Sequence, residues 1–368
     1  MKICHLTSVH AHTDTRIFLK ECRSLKKAGY EVHFVVPSVQ DTIIDGVQIH
    51  GLRKEKGSRL KRMTKTVNQV LKIGLEIDAD VYHFHDPELI PVGLKLKKQG
   101  KKVIYDVHED VPKQIMTKNW LPKNLRKVIS KTFEQYENRA VKKFDKIITA
   151  TPYIRDRFLK LGCAVQDVNN YPLLEELKIE DGKWAEKENV VCYVGGISVT
   201  RGINEMTMAL TYTEDISLLL AGKFAFNTEK EAVKSLDGWS KVKELGFLNR
   251  EQVKDTYRKS KAGMVVLHPT LNYVDALPVK MFEYMAAGIP VIASNFPLWK
   301  SIIEETDSGV CVDPLKPKEI GHAINFLMEN PKEAERMGKN GRIAVETKFN
   351  WESESQKLID VYENLLQN

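Results

Sequence analysis

At 368 residues the chain is longer than a single hydrophobic core usually organises, so two domains of about 150–200 residues are expected. Its 42% hydrophobic and 29% charged residues exclude a disordered chain, and apolar runs such as 190–194 and 263–267 fall far short of the roughly 20 residues that span a bilayer. The net charge of +7 is uneven: residues 1–168 hold 32 Lys and Arg against 19 Asp and Glu, a net of +13, while residues 169–368 hold 24 against 30, a net of −6.

The first half therefore points toward an anionic partner, with a solvated basic face as the plainer alternative. The N-terminus enters a strand-like run at residues 2–9 without an apolar signal core, which predicts a cytoplasmic protein. Val- and Ile-rich runs then predict strands at 31–37, 47–52, 81–85, 102–108, 146–151 and 165–169. Helical stretches fit between them. In the first, Phe18, Cys22 and Leu25 recur at i, i+4 and i+7, and Gly29 supplies the stop. Because strand side chains alternate, His83 and His85 share one face. Residues 171–188 lack a clear period and are acidic, so they read as an interdomain linker.

A second series follows: strands at 189–195, 216–221, 242–247, 263–269, 290–294 and 309–312, with helices from Arg201, Arg250 and Pro278. The closing helix, 351–366, carries Leu358, Val361, Tyr362 and Leu365 on one stripe. Alternating strands and helices predict an α/β fold of two Rossmann-like lobes facing across a cleft, 1–170 and 171–350, and the family resemblance described below implies that the C-terminal helix 351–368 returns to the first lobe. The five scattered cysteines, without Cys-x-x-Cys spacing, read as reduced core residues.

The most specific stretch runs from Asp275 to Ser294, where a turn opens a helix that stops at Gly288 before another strand. Pro278 suits the first helical turn, and the helix N-terminus offers free N–H groups and a positive dipole end to a diphosphate. Glu283, more than one turn in, can accept hydrogen bonds from ribose hydroxyls, and Asp275 can reach a sugar hydroxyl. Taken alone, the same pattern is a capped structural helix.

The spacing of Asp275 and Glu283, with the following Ala-Ala-Gly-Ile-Pro-Val-Ile-Ala-Ser run, resembles the retaining glycosyltransferases of family 4, which have the GT-B fold. That family places a Glu where Asp275 stands, so the first acid is shorter here. The run from Tyr193 to Ile203 resembles the family's strand-to-helix loop, in which an Arg and a Lys grip the diphosphate around Gly195. Arg201 takes the Lys position and Gly196 the Arg position, so the resemblance leaves one cation to be supplied elsewhere, with Lys280 as the candidate. It further implies donor contacts at Leu277 and Val279, and a nucleotide base beside Phe247 and Leu248. Tyr105 to Asp110 resembles the strand ending in a His that faces the donor sugar, here His108. His10, Asp14 and Arg16 occupy a loop that is often glycine-rich in the family, and with His85 and Asp86 they form the expected acceptor side.

The resemblance implies transfer of a sugar from a nucleotide-diphosphate sugar, commonly a UDP-sugar, to a carbohydrate or lipid-linked acceptor, in cell-surface polysaccharide or glycolipid synthesis. His108, Asp275, Arg201 and Lys280 are the expected catalytic groups, with no metal and no cofactor. The basic first lobe adds an expected anionic membrane surface, carried partly by residues 53–62, and a peripheral location on its inner face. Nucleic acid is not expected, because no aromatic platform accompanies the basic residues. Two rivals differ in class. His83, His85, Asp86, His108, Glu109 and Asp110 could form the metal cluster of a hydrolase. A nucleotide-sugar epimerase or a silent binding subunit would keep the fold without transfer.

Overall fold

Each apolar run of the first half becomes a strand of one sheet in the computed structural model, which describes residues 1–37, 39–52, 62–118, 121–177 and 184–367. The strands are β1 (Lys2–Leu6), β2 (Glu31–Pro37), β3 (Thr42–Ile44), β4 (Val47–Leu52), β5 (Val81–Phe84), β6 (Lys102–Val107), β7 (Lys146–Thr149) and β8 (Val165–Asp167). They pair in the order β3-β4-β2-β1-β5-β6-β7-β8, all parallel except β3 with β4. β3 was not expected. Asp45 and Gly46, both with positive φ, form a two-residue turn whose twist suits a hairpin, and this folds the exposed edge strand back onto β4.

Between the strands lie α1 (residues 15–27), α2 (Val67–Ile77), α3 (Ile90–Lys98), α4 (Val111–Met116), α5 (Lys123–Val141) and α6 (Pro152–Leu159). Helices over both sheet faces leave the central strands apolar along their whole length, as in Phe34-Val35-Val36 and Val103-Ile104-Tyr105. In α1 the expected stripe of Phe18, Cys22 and Leu25 is buried. Its first part, Thr15–Cys22, is however wound as a π-helix, with the Asp14 carbonyl accepting from both Phe18 and Leu19. The wider turn brings residues five apart to one side, so that Arg16 and Glu21 meet at 3.1 Å.

The second sheet is parallel throughout, in the order β11-β10-β9-β12-β13-β14. Its strands are β9 (Val190–Val194), β10 (Ser217–Ala221), β11 (Val242–Gly246), β12 (Ala262–Val265), β13 (Val291–Ser294) and β14 (Gly309–Val312). The helices are α7 (Ile203–Ala209), α8 (Asn227–Lys234), α9 (Arg250–Lys259), α10 (Val279–Ala286), α11 (Pro297–Thr306), α12 (Pro317–Glu329), α13 (Pro331–Thr347) and α14 (Trp351–Gln367). Alternation along β9 sends Val190 and Cys192 into one apolar layer and Val191 and Tyr193 into the other.

The chain thus forms two Rossmann-like α/β units, residues 1–170 with 353–368, and residues 171–352. The segment expected as a linker is corrected by the packing. Tyr171 is buried edge-on against Phe282 and Phe349, at 4.7 and 5.3 Å between centroids, and Trp184 is buried in the opposite layer. Their apolar area outweighs the polar character of the residues around them. Residues 178–183 of that segment, and residues 53–61 of the basic stretch, lie outside the described residues. Leu358, Val361, Tyr362 and Leu365 of α14 are buried. Among the described residues no helix is long and apolar enough to cross a membrane.

Candidate active site

In the second unit, β9 ends in a turn through Gly195 (φ 142°) and Gly196. Here the missing side chains matter. A Cβ on Gly195 would lie 3.1 Å from Lys280 Nζ, and one on Gly196 would lie 3.0 Å from Arg201 Nη1. Two cations therefore stand directly against the turn. The Gly196 carbonyl accepts from Tyr193 Oη at 2.7 Å and Arg201 Nη1 at 3.3 Å, while Lys280 Nζ sits 4.7 Å over the Tyr193 ring. Burial, and then repulsion by Arg201, bring Lys280 down to about 7, with Glu283 offsetting part of the shift.

Arg201 was expected to open a helix. It closes a short turn instead, because Gly202 (φ 78°) passes too near the Val266 carbonyl for any side chain, a Cβ lying 2.0 Å from its oxygen. α7 starts after that glycine.

α10 places the next set. Pro278 (ψ 116°) stands just before its first turn rather than within it, and no side chain caps the helix. Met281 N donates back to the Pro278 carbonyl at 3.0 Å, which leaves the N–H groups of Val279 and Lys280 at the positive dipole end. The preceding loop holds Asp275 half-buried and packs Leu277 against the core, and Trp299 Nε1 fixes it by donating to the Ala276 carbonyl at 2.6 Å. One turn in, Glu283 accepts from Arg250 Nη1 at 2.9 Å and Tyr257 Oη at 3.1 Å. A carboxylate offers about four lone-pair directions, so these contacts orient it without exhausting it. Arg250 also reaches Glu176 at 2.8 Å. After β11, Phe247 is 74% exposed with Lys223 Nζ 5.3 Å over its ring, whereas Leu248 packs on the core. Tyr193, Arg250 and Tyr257 were not foreseen. Tyr193 alone had a sequence signal, its place on the last turn of the strand before the glycines.

In the first unit the residues expected on the acceptor side come together, but unequally. His10, Asp14 and His108 keep 29%, 23% and 19% of their side chains exposed. His10 Nδ1 meets Asp14 Oδ2 at 2.9 Å, and its ring lies 5.4 Å from that of His108. Burial works against the charge of His10, yet Asp14 and Asp86 hold its pKa above the usual value. Arg16, His85 and Asp86 are buried, and their polar atoms are used internally. Arg16 donates to both oxygens of Asp106, at 2.9 and 3.1 Å, and to the Val168 carbonyl at 2.8 Å. Asp86 Oδ2 accepts from Thr7 Oγ1 at 2.7 Å and Ser8 N at 2.6 Å. His85 Nδ1 lies 3.3 Å from Asp106 Oδ2 and 3.2 Å from His108 Nε2. These three residues hold the site and do not line its surface.

The six residues weighed as a metal cluster do not assemble. Asp86 faces Thr7 and Ser8, Glu109 accepts from Gln114, and Asp110 caps α4 through Lys113 N. A different set does gather: His5, Glu21, His83 and His85, all buried. Burial drives the pKa of His5 and His83 well down and that of His85 to about 4, so the three rings are neutral.

Both halves of the chain resemble known proteins. Residues 175–344 match the family described as glycosyl transferases group 1, and residues 15–169 match glycosyltransferase family 4. A D-rhamnosyltransferase of Pseudomonas aeruginosa is 23% identical over 287 residues, covering 74% of this chain and 70% of that protein. Two further curated relatives, a spore coat protein of Bacillus subtilis and an uncharacterised glycosyltransferase of Methanocaldococcus jannaschii, are matched over about half of their own length, 52% and 45%. Among solved structures, sucrose-phosphate synthase of Thermosynechococcus elongatus superimposes with a TM-score of 0.80 at 18% identity, covering 100% and 99% of the two chains. Anabaena HepE, solved with UDP-glucose, gives 0.74 at 15% identity, covering 99% and 100%. The chain is a glycosyltransferase of the GT-B fold.

Proposed function

We propose that this glycosyltransferase moves a hexose from a UDP-sugar to a hydroxyl of a carbohydrate or lipid-linked acceptor, retaining the anomeric configuration, in surface-polysaccharide or glycolipid synthesis. The observation that carries the reading is the pair of cations, Lys280 and Arg201, set against a side-chain-free turn. With the uncapped N-terminus of α10 they supply what a diphosphate needs, positive charge and N–H donors, without a metal. Glu283 takes the ribose hydroxyls, Phe247 stacks on the base, and Asp275 orients the donor sugar; in the first unit His108 is read as a sugar-binding group. A UDP-glucose complex of HepE, which shares the fold, supports the choice of donor.

In the reaction the bond from the anomeric carbon to the β-phosphate oxygen breaks. The acceptor oxygen bonds the same face, and its proton passes to the departing phosphate. Lys280 and Arg201 stabilise the charge that develops there. Retention rests on the family resemblance alone.

The acceptor side is read as facing anionic lipid. On α5 the apolar Leu125, Val128 and Ile129 are exposed next to Lys123, Lys127 and Lys131, a pairing suited to a charged interface. Sedimentation with anionic liposomes at low salt should carry the protein down, and neutral liposomes should not. For the donor, thermal unfolding is followed with UDP, GDP, ADP and their sugars. Selective stabilisation by UDP and one UDP-sugar is expected, whereas stabilisation by none of them contradicts the proposal.

A further inference from the structure

The interior of the first unit contains chelating groups that sugar transfer does not use. His5 on β1 pairs in register with His83 on β5, His85 follows on the same face, and Glu21 approaches from α1. The His5, Glu21 and His85 side chains have no exposed surface, and His83 is equally closed. We propose that His5, Glu21, His83 and His85 bind one divalent transition-metal ion of the zinc class, as a structural centre of the first unit.

The outward nitrogens of the three rings are already held. The Tyr362 hydroxyl lies 2.7 Å from His83 Nδ1 and 3.3 Å from His5 Nε2, and Asp106 Oδ2 lies 3.3 Å from His85 Nδ1. Such outer partners fix ring orientation and tautomer around a metal. Each of the four residues offers one ligand atom within 4.8 Å of the others; with the outward nitrogens held, these are taken as His5 Nδ1, His83 Nε2, His85 Nε2 and the Glu21 carboxylate. His5 Nδ1 and His85 Nε2 are 2.9 Å apart, and each is 3.9 Å from Glu21 Oε2. Ligands of a tetrahedral zinc ion sit about 3.3 Å apart, given bonds of about 2.0–2.1 Å. Shifts of well under an ångström bring the His5, His85 and Glu21 atoms to that spacing, and His83 closes in from within 4.8 Å.

The second observation is chemical. Among the described residues, His83 Nε2 and both oxygens of Glu21 make no hydrogen bond, although each is fully buried. Glu21 Oε1 is ion-paired with Arg16 at 3.1 Å, and Oε2 faces His5 and His85. One guanidinium thus faces two buried carboxylates, Asp106 and Glu21, so the enclosure requires a further positive charge. A nitrogen-rich set with one carboxylate suits zinc better than magnesium or calcium. Four protein ligands leave no open position, which marks a structural centre. The nearby His85 Nδ1, Asp106 and His108 trio is not chosen, because among the described residues it holds no buried polar atom that lacks a hydrogen bond, whereas Glu21 and His83 do.

A metal-free interior would be arranged differently. Tyr362 would donate to His5, His5 Nδ1–H to His85, and His85 Nδ1–H to Asp106, with a proton on Glu21. The test uses the full chain, purified without a metal-affinity tag or chelator. Elemental analysis should find about one zinc per chain. Chelation should lower the unfolding midpoint, Zn²⁺ should restore it, and Co²⁺ should give the visible absorption of a tetrahedral site. Glu21→Gln should abolish the metal. Tyr362→Phe, which keeps the packing but removes the outer hydroxyl, should weaken zinc affinity by about 10–100-fold. Lys280→Met should keep its zinc, which separates this site from the donor reading. Folded wild type with far less than one metal per chain, a midpoint indifferent to chelator and Zn²⁺, and no cobalt band would overturn the proposal in favour of the proton-linked network.

Discussion

The first strand of each unit runs into a polar turn, and the two turns direct their chemistry oppositely. After β1, Thr7 and Ser8 turn inward onto Asp86, and Arg16 and His85 converge on buried Asp106. After β9, Gly195 and Gly196 contribute no side chain, and two cations approach from the following turn and from α10. One region consumes its hydrogen bonds in holding itself together. The other keeps charge and donors available for something not covalently part of the chain. A polar cluster at strand ends is therefore a binding site only where its donors are left over.

The sharpest test of that contrast is Asp106→Asn, which strands buried Arg16. A loss of about 3–5 kcal/mol in denaturant unfolding is expected, and UDP affinity measured under native conditions should stay as it was. Lys280→Met or Arg201→Met should do the reverse. Turnover of the UDP-sugar is expected to fall by about 10²–10³ with little change in the unfolding midpoint. If either donor-site variant unfolds as Asp106→Asn does, the contrast fails. Phe247→Ala should weaken UDP by about 1–3 kcal/mol, as loss of a stacking face does, and calorimetry of binding reads this directly.

The smallest effect is in pH. Lys280 sits near 7 in the free protein, so its ammonium is lost as pH rises through that value, and the attraction for a diphosphate goes with it. UDP affinity should decline from pH 6.5 to 8.5 by no more than about tenfold per unit, and Lys280→Met should remove that slope.

The fold was legible because apolar runs and helical stripes repeat locally. β2, β4 and β14 begin and end where their apolar runs do. The misses have physical causes. β3 has three residues and an exposed face, and its one signal was the Asp45-Gly46 turn. Tyr171 and Trp184 sit among polar neighbours, so their burial is decided by partners more than 100 residues away in sequence for Tyr171, and on the opposite sheet face for Trp184. Within the candidate site, Asp275, Glu283, Arg201 and Lys280 were named through the family resemblance rather than through local pattern. Arg250 and Tyr257 were not foreseen, because they meet Glu283 from another helix, 33 and 26 residues away. Local pattern also could not separate His108, which keeps a surface, from His85, which has none.

The central claim is that Lys280 and Arg201 grip the donor's diphosphate. It is tested most directly by calorimetric titration of UDP into wild type and the Lys280→Met/Arg201→Met double variant, both in chelator. Tight binding to wild type and a loss of at least about 100-fold in a folded double variant is the predicted result. Equal affinity in the two proteins would contradict the account.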